Sequence, residues 1–216
     1  MSHTLIFLHG WLGSPSDWQP VIEALNYPGK TLSIALQDID KIEYEKTILI
    51  GYSMGGRAAL QQKNRERYEL ALILGGHLGL KEEEIPAQIA REKQITEMLQ
   101  TLCYENFIRE WYNQALFETL QITDSFIKTR TSGYAKESLL LFNRYLLSKQ
   151  PLITPNQRTF FLVGARDIKY KKLYAASIKQ EMVREIPNAG HAAHIENPSA
   201  TAETIKKVLQ ERNLWQ

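Results

Sequence analysis

The chain contains 216 residues, of which 44% are hydrophobic and 23% are charged, and its formal net charge is +2. These values are typical of a globular protein with one domain, or with one domain and an insertion. The small net charge argues against nucleic acid as a partner. No segment approaches the ~20 uninterrupted apolar residues of a membrane span. The amino terminus leads directly into a strand pattern, so we expect no signal peptide.

Cys103 is the only cysteine in the sequence, which excludes an internal disulfide and suits a reducing compartment. We therefore predict a cytoplasmic protein. Because Cys103 lies among apolar residues and outside any motif, we expect it to be a buried structural thiol.

Short apolar runs alternate with helical patterns along the chain, which predicts an α/β fold with a mostly parallel sheet of about six strands. The predicted strands are residues 5–8, 31–35, 48–50, 70–74, 160–163 and 182–186. The predicted helices are residues 17–25, 57–64, 170–179 and 201–212.

The connection through residues 36–46 is barely long enough for a parallel crossover, so we expect its helix to be lost or reduced to a turn. Between residues 79 and 150 the alternation stops and the pattern becomes amphipathic and helical, without a convincing strand. We therefore predict a core formed by residues 1–78 and 151–216, with residues 79–150 inserted as a helical cap.

The pentapeptide G-Y-S-M-G at residues 51–55 directly follows the predicted strand 48–50 and precedes good helix formers. Between a strand and a helix, a G-x-S-x-G turn exposes the serine hydroxyl at the edge of the sheet, which marks Ser53 as a candidate reactive serine. Such a site needs N–H donors for developing negative charge. We expect these from the backbone of Met54, after the serine, and of Trp11, in the loop after the first strand.

A serine hydroxyl becomes reactive when a base accepts its proton and a carboxylate orients that base. Asp167 follows the predicted strand 160–163, and His191 follows the last strand, in the order serine, aspartate, histidine that is typical of α/β hydrolases. Both loops are expected at the same sheet edge as Ser53, so we predict a catalytic triad. We expect His9 to organise the loop after the first strand rather than to act as a second base.

His191 and His194 are separated by a spacing that also occurs in metal sites on helices. No third ligand lies near them in the sequence, so we expect no metal there. We also expect no cofactor.

Four segments carry more specific information: G-Y-S-M-G-G-R at 51–57, W-Y-N-Q-A-L-F at 111–117, G-A-R-D-I-K-Y at 164–170 and A-G-H-A-A-H-I-E-N-P at 189–198. Together they resemble the 2-succinyl-6-hydroxy-2,4-cyclohexadiene-1-carboxylate synthase family of menaquinone biosynthesis, from about residue 5 to the carboxyl end. The resemblance implies an α/β-hydrolase fold and a lyase reaction that eliminates pyruvate from an enolpyruvyl-bearing cyclohexene. In that reaction the triad would abstract a proton instead of forming an acyl-enzyme.

The resemblance also implies a small polyanionic carboxylate substrate, which requires fixed cations, and arginine pairs bidentately with carboxylates. Arg57, just after the serine, and Arg130, in the cap, are implied to bind this substrate, and Arg91 matches the family pattern less well. The other residues implied to line the pocket are Tyr52, Trp111, Gln114 and Lys169.

The same triad serves other reactions, so two alternatives stay open. A carboxylesterase or carbon–carbon-bond hydrolase would use Ser53 as its nucleophile. A non-catalytic ligand-binding relative would not need the triad. The family's D-x-P-G-H-G turn after the second core strand is replaced here by residues 36–40, which bears on the shape of the pocket at that side. The sequence leaves the oligomeric state open.

Overall fold

The computed structural model describes residues 3–42, 45–62, 68–131 and 135–215, and the strands in these ranges form one sheet. The strands are β1 (Thr4–Leu8), β2 (Thr31–Ile34), β3 (Thr47–Tyr52), β4 (Leu70–Leu74), β5 (Thr159–Gly164) and β6 (Val183–Ile186). Their order is β2-β1-β3-β4-β5-β6, and every neighbouring pair is parallel. The predicted parallel α/β sheet is therefore confirmed.

Helices connect the strands and build the segment between β4 and β5. The α-helices are α1 (Gln19–Leu25), α2 (Met54–Leu60), α3 (Ile85–Thr101), α4 (Tyr104–Tyr112), α5 (Asp124–Thr131), α6 (Ala135–Arg144), α7 (Ile168–Ser177), α8 (Ala193–Glu196) and α9 (Pro198–Glu211). The short 3-10 helices are Pro15–Trp18, Leu36–Lys41, Glu82–Glu84, Ala115–Phe117, Leu147–Lys149 and Gln180–Met182. Helix α1 packs against α9, and α2 packs on β3 and β4.

Three of the interior strands, β3, β4 and β5, are buried along their whole length. Parallel strands that are covered on both faces read as continuous apolar runs, which is why the sequence pattern located them well. The edge strand β2 is only partly buried. No helix among the described residues is long and apolar enough to cross a membrane.

The segment between β4 and β5 leaves the sheet and returns to it at one place, since the N–H of Ile153 donates to the carbonyl of Leu78 at 2.8 Å. Its described residues form helices α3 to α6 and short 3-10 helices, and contain no strand. The division of the chain into a core and a cap stays our prediction.

Side-chain caps set the first residues of two helices, which begin earlier than the sequence pattern predicts. The Asp167 carboxylate accepts the N–H of Tyr170 at the start of α7, and the Asn197 amide oxygen accepts the N–H of Ala200 at the start of α9. Helix α2 spans Met54–Leu60, and residues 63 and 64 of the predicted helix lie outside the described residues.

Two other features of the connections bear on the predictions. The connection after β2 contains the 3-10 helix Leu36–Lys41, while residues 43 and 44 lie outside the described part of the chain. The prediction that Cys103 is buried is wrong, because its side chain is exposed. Cys103 lies at the turn between α3 and α4, in the residue before α4 begins, where the chain faces outward.

Candidate active site

The loops that carry the predicted triad leave the sheet at its carboxyl-terminal edge. In the register of the sheet, Tyr52 at the end of β3 lies beside Leu74 at the end of β4. Gly164 at the end of β5 likewise lies beside Ile186 at the end of β6. The chain then continues into the loops of Ser53, Asp167 and His191, so these side chains converge at the edge where open α/β sheets bind ligands.

Ser53 occupies a sharp turn between β3 and α2, with φ of 49° and ψ of −110°. A non-glycine residue in such a conformation costs on the order of 1–3 kcal/mol and is typical of functional sites. The N–H of Ser53 donates to the carbonyl of Leu74 at 2.8 Å, which helps to hold the turn. The flanking glycines permit close approach, because a Cβ on Gly55 would lie 2.5 Å from the carbonyl oxygen of His9.

His191 links the serine to the carboxylate. Its Nδ1 lies 2.8 Å from Asp167 Oδ2, and its Nε2 lies 3.4 Å from Ser53 Oγ. A carboxylate beside Nδ1 favours the tautomer with the proton on Nδ1, which leaves Nε2 as an acceptor for the serine hydroxyl. The 3.4 Å separation is long for a hydrogen bond, so it must shorten for proton transfer.

The positions of Asp167 and of the His191 ring are fixed by several neighbours. Asp167 Oδ1 accepts the N–H of Tyr170 at 3.0 Å, so one carboxylate both starts helix α7 and orients the histidine. The Tyr170 ring stacks on the imidazole at a centroid distance of 4.8 Å. On another side, Gly75 has φ of 59°, and a Cβ there would lie 2.7 Å from His191 Cε1. Tyr170 and Gly75 therefore shape the histidine's pocket.

Glu196 is a site residue that the sequence reasoning missed. Its two carboxylate oxygens accept the N–H groups of Gly190 and Ala192, the residues on either side of His191. The signal that could have found it is a carboxylate shortly after the glycine–histidine pair, where a short helix brings the chain back toward the loop.

The two predicted oxyanion donors lie in suitable elements. Met54 is the first residue of α2, where a backbone N–H has no partner within the helix. Trp11 lies in a tight turn in which the N–H of Gly13 donates to the carbonyl of Gly10 at 3.1 Å. Its indole N–H donates to the carbonyl of Ser138 at 2.9 Å, which joins this loop to helix α6. The oxyanion role of both backbone N–H groups stays a prediction.

His9 is a buried structural histidine. Its Nε2 accepts the N–H of Leu36 at 3.1 Å, so that nitrogen is unprotonated, and Nδ1–H donates to the carbonyl of Gly10 at 2.7 Å. Burial, the largest influence, lowers the pKa of His9. With both ring nitrogens engaged, His9 ties the loop after β1 to the 3-10 helix after β2.

His194 is completely buried, against the rings of Trp18 and Tyr52 at centroid distances of 4.7 and 4.2 Å. Neither ring nitrogen has a hydrogen-bond partner among the described residues. Burial first, and then the charge of Arg130, lowers the pKa of His194 well below its usual 6.5. The side chain is therefore neutral in the folded protein.

We expect acid to destabilise the fold through His194, because the unfolded chain takes up a proton near pH 6.5 and the folded chain does not. The contribution of the neutral His194 to the free energy of unfolding is present above that pH. It is lost as the pH falls, by up to about 1.4 kcal/mol per pH unit. Urea unfolding at pH 7 and pH 5 should show a smaller loss for His194→Phe than for the natural sequence. Trp18→Phe alters the same packing without removing a titrating group and should keep the full loss. Equal pH dependence in all three proteins would contradict this expectation.

A cavity of about 550 Å³ opens beside His191 and Asp167. Its charged lining is predominantly basic, with Arg91, Arg166, Lys169 and Lys172 against the two acidic residues Glu118 and Asp167. Arg91 donates to the side-chain oxygen of Gln114 at 2.6 Å, and the amide nitrogen of Gln114 donates to the carbonyl of Trp111 at 2.7 Å. Partial desolvation, and then the charge of Arg91, lowers the pKa of Lys169. The structure thus brings Arg91, Gln114 and Lys169 together next to His191.

The other two predicted substrate-binding arginines are engaged within the protein. Arg57 donates from Nε to Gln150 Oε1 at 2.7 Å and from Nη2 to the carbonyl of Tyr145. Burial lowers the pKa of Arg57 to about 10, so it stays charged at neutral pH. Arg130 is buried in an ion pair with Asp17 at 2.6 Å.

The two aromatic candidates pack against the site's own loops. The Tyr52 ring lies 5.3 Å from the His191 ring, and the Trp111 ring lies 4.6 Å from the Trp11 ring. Both contacts place apolar surface near the loops that carry the predicted triad and oxyanion donor. In the described part of the chain, no cluster of three or more histidine, cysteine or acidic residues is arranged to hold a metal ion.

Comparison with known proteins adds relatives along nearly the whole chain. No family model matches the sequence. The 2-succinyl-6-hydroxy-2,4-cyclohexadiene-1-carboxylate synthase of Enterobacter sp. (strain 638) is 30% identical, over 96% of this chain and 92% of the relative. The synthase of the same name from Escherichia coli O17:K52:H18 (strain UMN026 / ExPEC) is 29% identical, over 95% of this chain and 93% of the relative.

Solved structures share the architecture. MenH from S. aureus superposes with a TM-score of 0.81 at 20% identity, over 98% of this chain and 94% of that chain. Bromoperoxidase from Bacillus anthracis superposes with a TM-score of 0.71 at 15% identity, over 97% and 92% of the two chains. At these identities the likeness concerns the fold alone, and with the parallel sheet it confirms the predicted α/β-hydrolase fold.

Proposed function

The chain belongs to the 2-succinyl-6-hydroxy-2,4-cyclohexadiene-1-carboxylate synthase family, and we propose that it acts as this lyase in menaquinone biosynthesis. The proposed reaction eliminates pyruvate from 2-succinyl-5-enolpyruvyl-6-hydroxy-3-cyclohexene-1-carboxylate and leaves the cyclohexadiene. We propose that the protein acts in the cytoplasm, because its sequence has a single cysteine, which suits a reducing compartment. The observation that carries the proposal is the contact chain from Ser53 through His191 to Asp167 beside a basic cavity.

In the proposed mechanism the triad acts as a base. His191 Nε2 accepts the proton of Ser53, and the serine oxygen takes a proton from the ring carbon next to the succinyl carbonyl. The electron pair of the broken C–H bond moves onto the carbonyl oxygen, where the N–H groups of Met54 and Trp11 stabilise it as a dienolate. Collapse of the dienolate forms the new C=C bond and breaks the C–O bond to enolpyruvate. The leaving group takes up the proton and becomes pyruvate.

The basic residues give this substrate a matching charge. A substrate with several carboxylates is stabilised by fixed cations in a partly desolvated cavity. Arg91 and Lys169 line the cavity next to His191, and we propose that they contact carboxylates directly. Arg57 donates to two neutral acceptors, which do not cancel its positive charge. We propose that this charge stabilises the carboxylates of the bound substrate. We keep Arg130 as a further candidate, with the condition that a carboxylate would compete with Asp17 for it.

The second candidate function is a carboxylesterase or carbon–carbon-bond hydrolase. It is favoured by the backbone conformation of Ser53, which is that of a serine presented for attack on a carbonyl. In this mechanism Ser53 would form a covalent intermediate, and the same N–H groups would bind its oxyanion.

A direct comparison of two substrates tests the proposal. Purified protein is assayed for pyruvate release from the enolpyruvyl substrate and, in parallel, for hydrolysis of an activated ester. The lyase proposal expects rapid pyruvate release and slow ester turnover. Folded protein that releases no pyruvate but hydrolyses the ester, and that a phosphonate labels at Ser53, would establish the hydrolase instead.

A further inference from the structure

Glu196 accepts hydrogen bonds from the backbone on both sides of the proposed base. Its Oε2 accepts the N–H of Gly190 at 2.8 Å, and its Oε1 accepts the N–H of Ala192 at 3.1 Å. His191 is the residue between these two N–H groups. Both carboxylate oxygens are therefore used to orient the peptides that flank one catalytic side chain.

These two hydrogen bonds involve a half-buried carboxylate, and hydrogen bonds to a charged acceptor are about twice as strong as those between neutral groups. The helix that carries Glu196 is short and ends at that residue, so its side chain reaches back over its own first turn. The two hydrogen bonds of the glutamate thereby hold the His191 loop against helix α8.

The loop is also confined at Gly190. A Cβ on Gly190 would lie 2.0 Å from Thr119 Oγ1 and 3.2 Å from Glu196 Oε1. Thr119, from the segment between β4 and β5, and Glu196 thus both approach Gly190 where a side chain would project, and only glycine fits there. This arrangement leaves the loop little freedom to shift while both contacts hold.

We propose that Glu196 is a positioning residue that sets the distance between His191 Nε2 and Ser53 Oγ. The proposal rests on the proposed function, because it assigns His191 as the base. The contact of His191 with Asp167 is already short at 2.8 Å, whereas its contact with Ser53 is 3.4 Å. A movement of the loop displaces the whole ring, so it lengthens or misaligns the serine contact and disturbs the Asp167 contact as well, and a misplacement of about 1 Å can cost a reaction about 100-fold.

The test compares Glu196→Gln and Glu196→Ala with Glu203→Gln, which removes an exposed carboxylate on helix α9 that pairs with Lys207. Glutamine keeps the length of the side chain and one acceptor oxygen, while alanine keeps neither. For pyruvate release we expect kcat to fall about 10-fold to 100-fold in Glu196→Gln and further in Glu196→Ala. We expect KM to stay within about three-fold, because the glutamate does not line the basic cavity. Glu203→Gln should match the natural sequence.

A spectroscopic readout keeps the test independent of activity. The proton between His191 Nδ1 and Asp167 is expected as a downfield NMR resonance, assigned by its loss in His191→Gln. This resonance should shift or broaden in Glu196→Gln while urea unfolding shows a folded protein. An unchanged resonance with unchanged kcat would overturn the proposal. If the natural sequence releases no pyruvate, the proposed function fails, and the resonance alone still decides whether Glu196 positions the histidine.

Discussion

Ser53→Ala is expected to lower kcat for pyruvate release by about 10³-fold to 10⁵-fold, because triad members act as a unit. Without the hydroxyl, no oxygen lies between His191 Nε2 and the substrate to transfer the proton. The His191 ring is buried, and its Nε2 lies 3.4 Å from the position of Ser53 Oγ, so the ring cannot replace the hydroxyl. Alanine preserves the volume and the turn, so the fold should remain. Substrate affinity should change little, since the basic residues beside the histidine stay in place.

The measurement is steady-state pyruvate release, with substrate affinity determined separately by calorimetry on the inactive variant. Ser199→Ala provides a matched control, since this serine is exposed in helix α9. A kcat within about ten-fold of the natural sequence would show that Ser53 is not part of the base and that another group abstracts the proton. Loss of affinity together with kcat would instead place the serine in ground-state binding.

The parts of the molecule that local sequence determines were predictable. The strand predicted at residues 70–74 coincides with β4, because a parallel strand buried on both faces must be apolar throughout. The loops of Ser53, Asp167 and His191 could be placed because parallel strands bring their carboxyl ends to one edge. Chain order and strand ends were sufficient for these positions.

Contacts between distant segments were not accessible in the same way. Arg130 forms a buried ion pair with Asp17, and Arg57 donates to Gln150, although neither pairing leaves a local pattern in the sequence. The buried His194 illustrates the same limit, since its surroundings come from the rings of Trp18 and Tyr52. For Cys103, apolar neighbours predicted burial, but the turn between two helices turned the side chain outward.

Asp167→Asn is expected to reduce kcat by about 10³-fold to 10⁴-fold while leaving the fold intact. The structure explains why an isosteric change is so damaging. Asp167 Oδ1 accepts the N–H of Tyr170 at the start of α7, so the single amide oxygen of asparagine is needed there. Asparagine is also a good helix cap, which preserves stability. The amide NH₂ then replaces Oδ2 and faces His191.

This reversal changes which nitrogen of the histidine carries the proton. A donor in the place of Oδ2, 2.8 Å from Nδ1, makes Nδ1 an acceptor and moves the ring proton to Nε2. An N–H then faces the serine hydroxyl and accepts no proton from it. Pyruvate release is measured alongside urea unfolding. Asp124→Asn is the control, because this exposed carboxylate in helix α5 pairs with Arg109 and lies far from the histidine loop in sequence. A folded Asp167→Asn variant that retains more than about a tenth of kcat would mean that the carboxylate does not set the tautomer of His191. The histidine would then be oriented by its backbone and ring contacts alone.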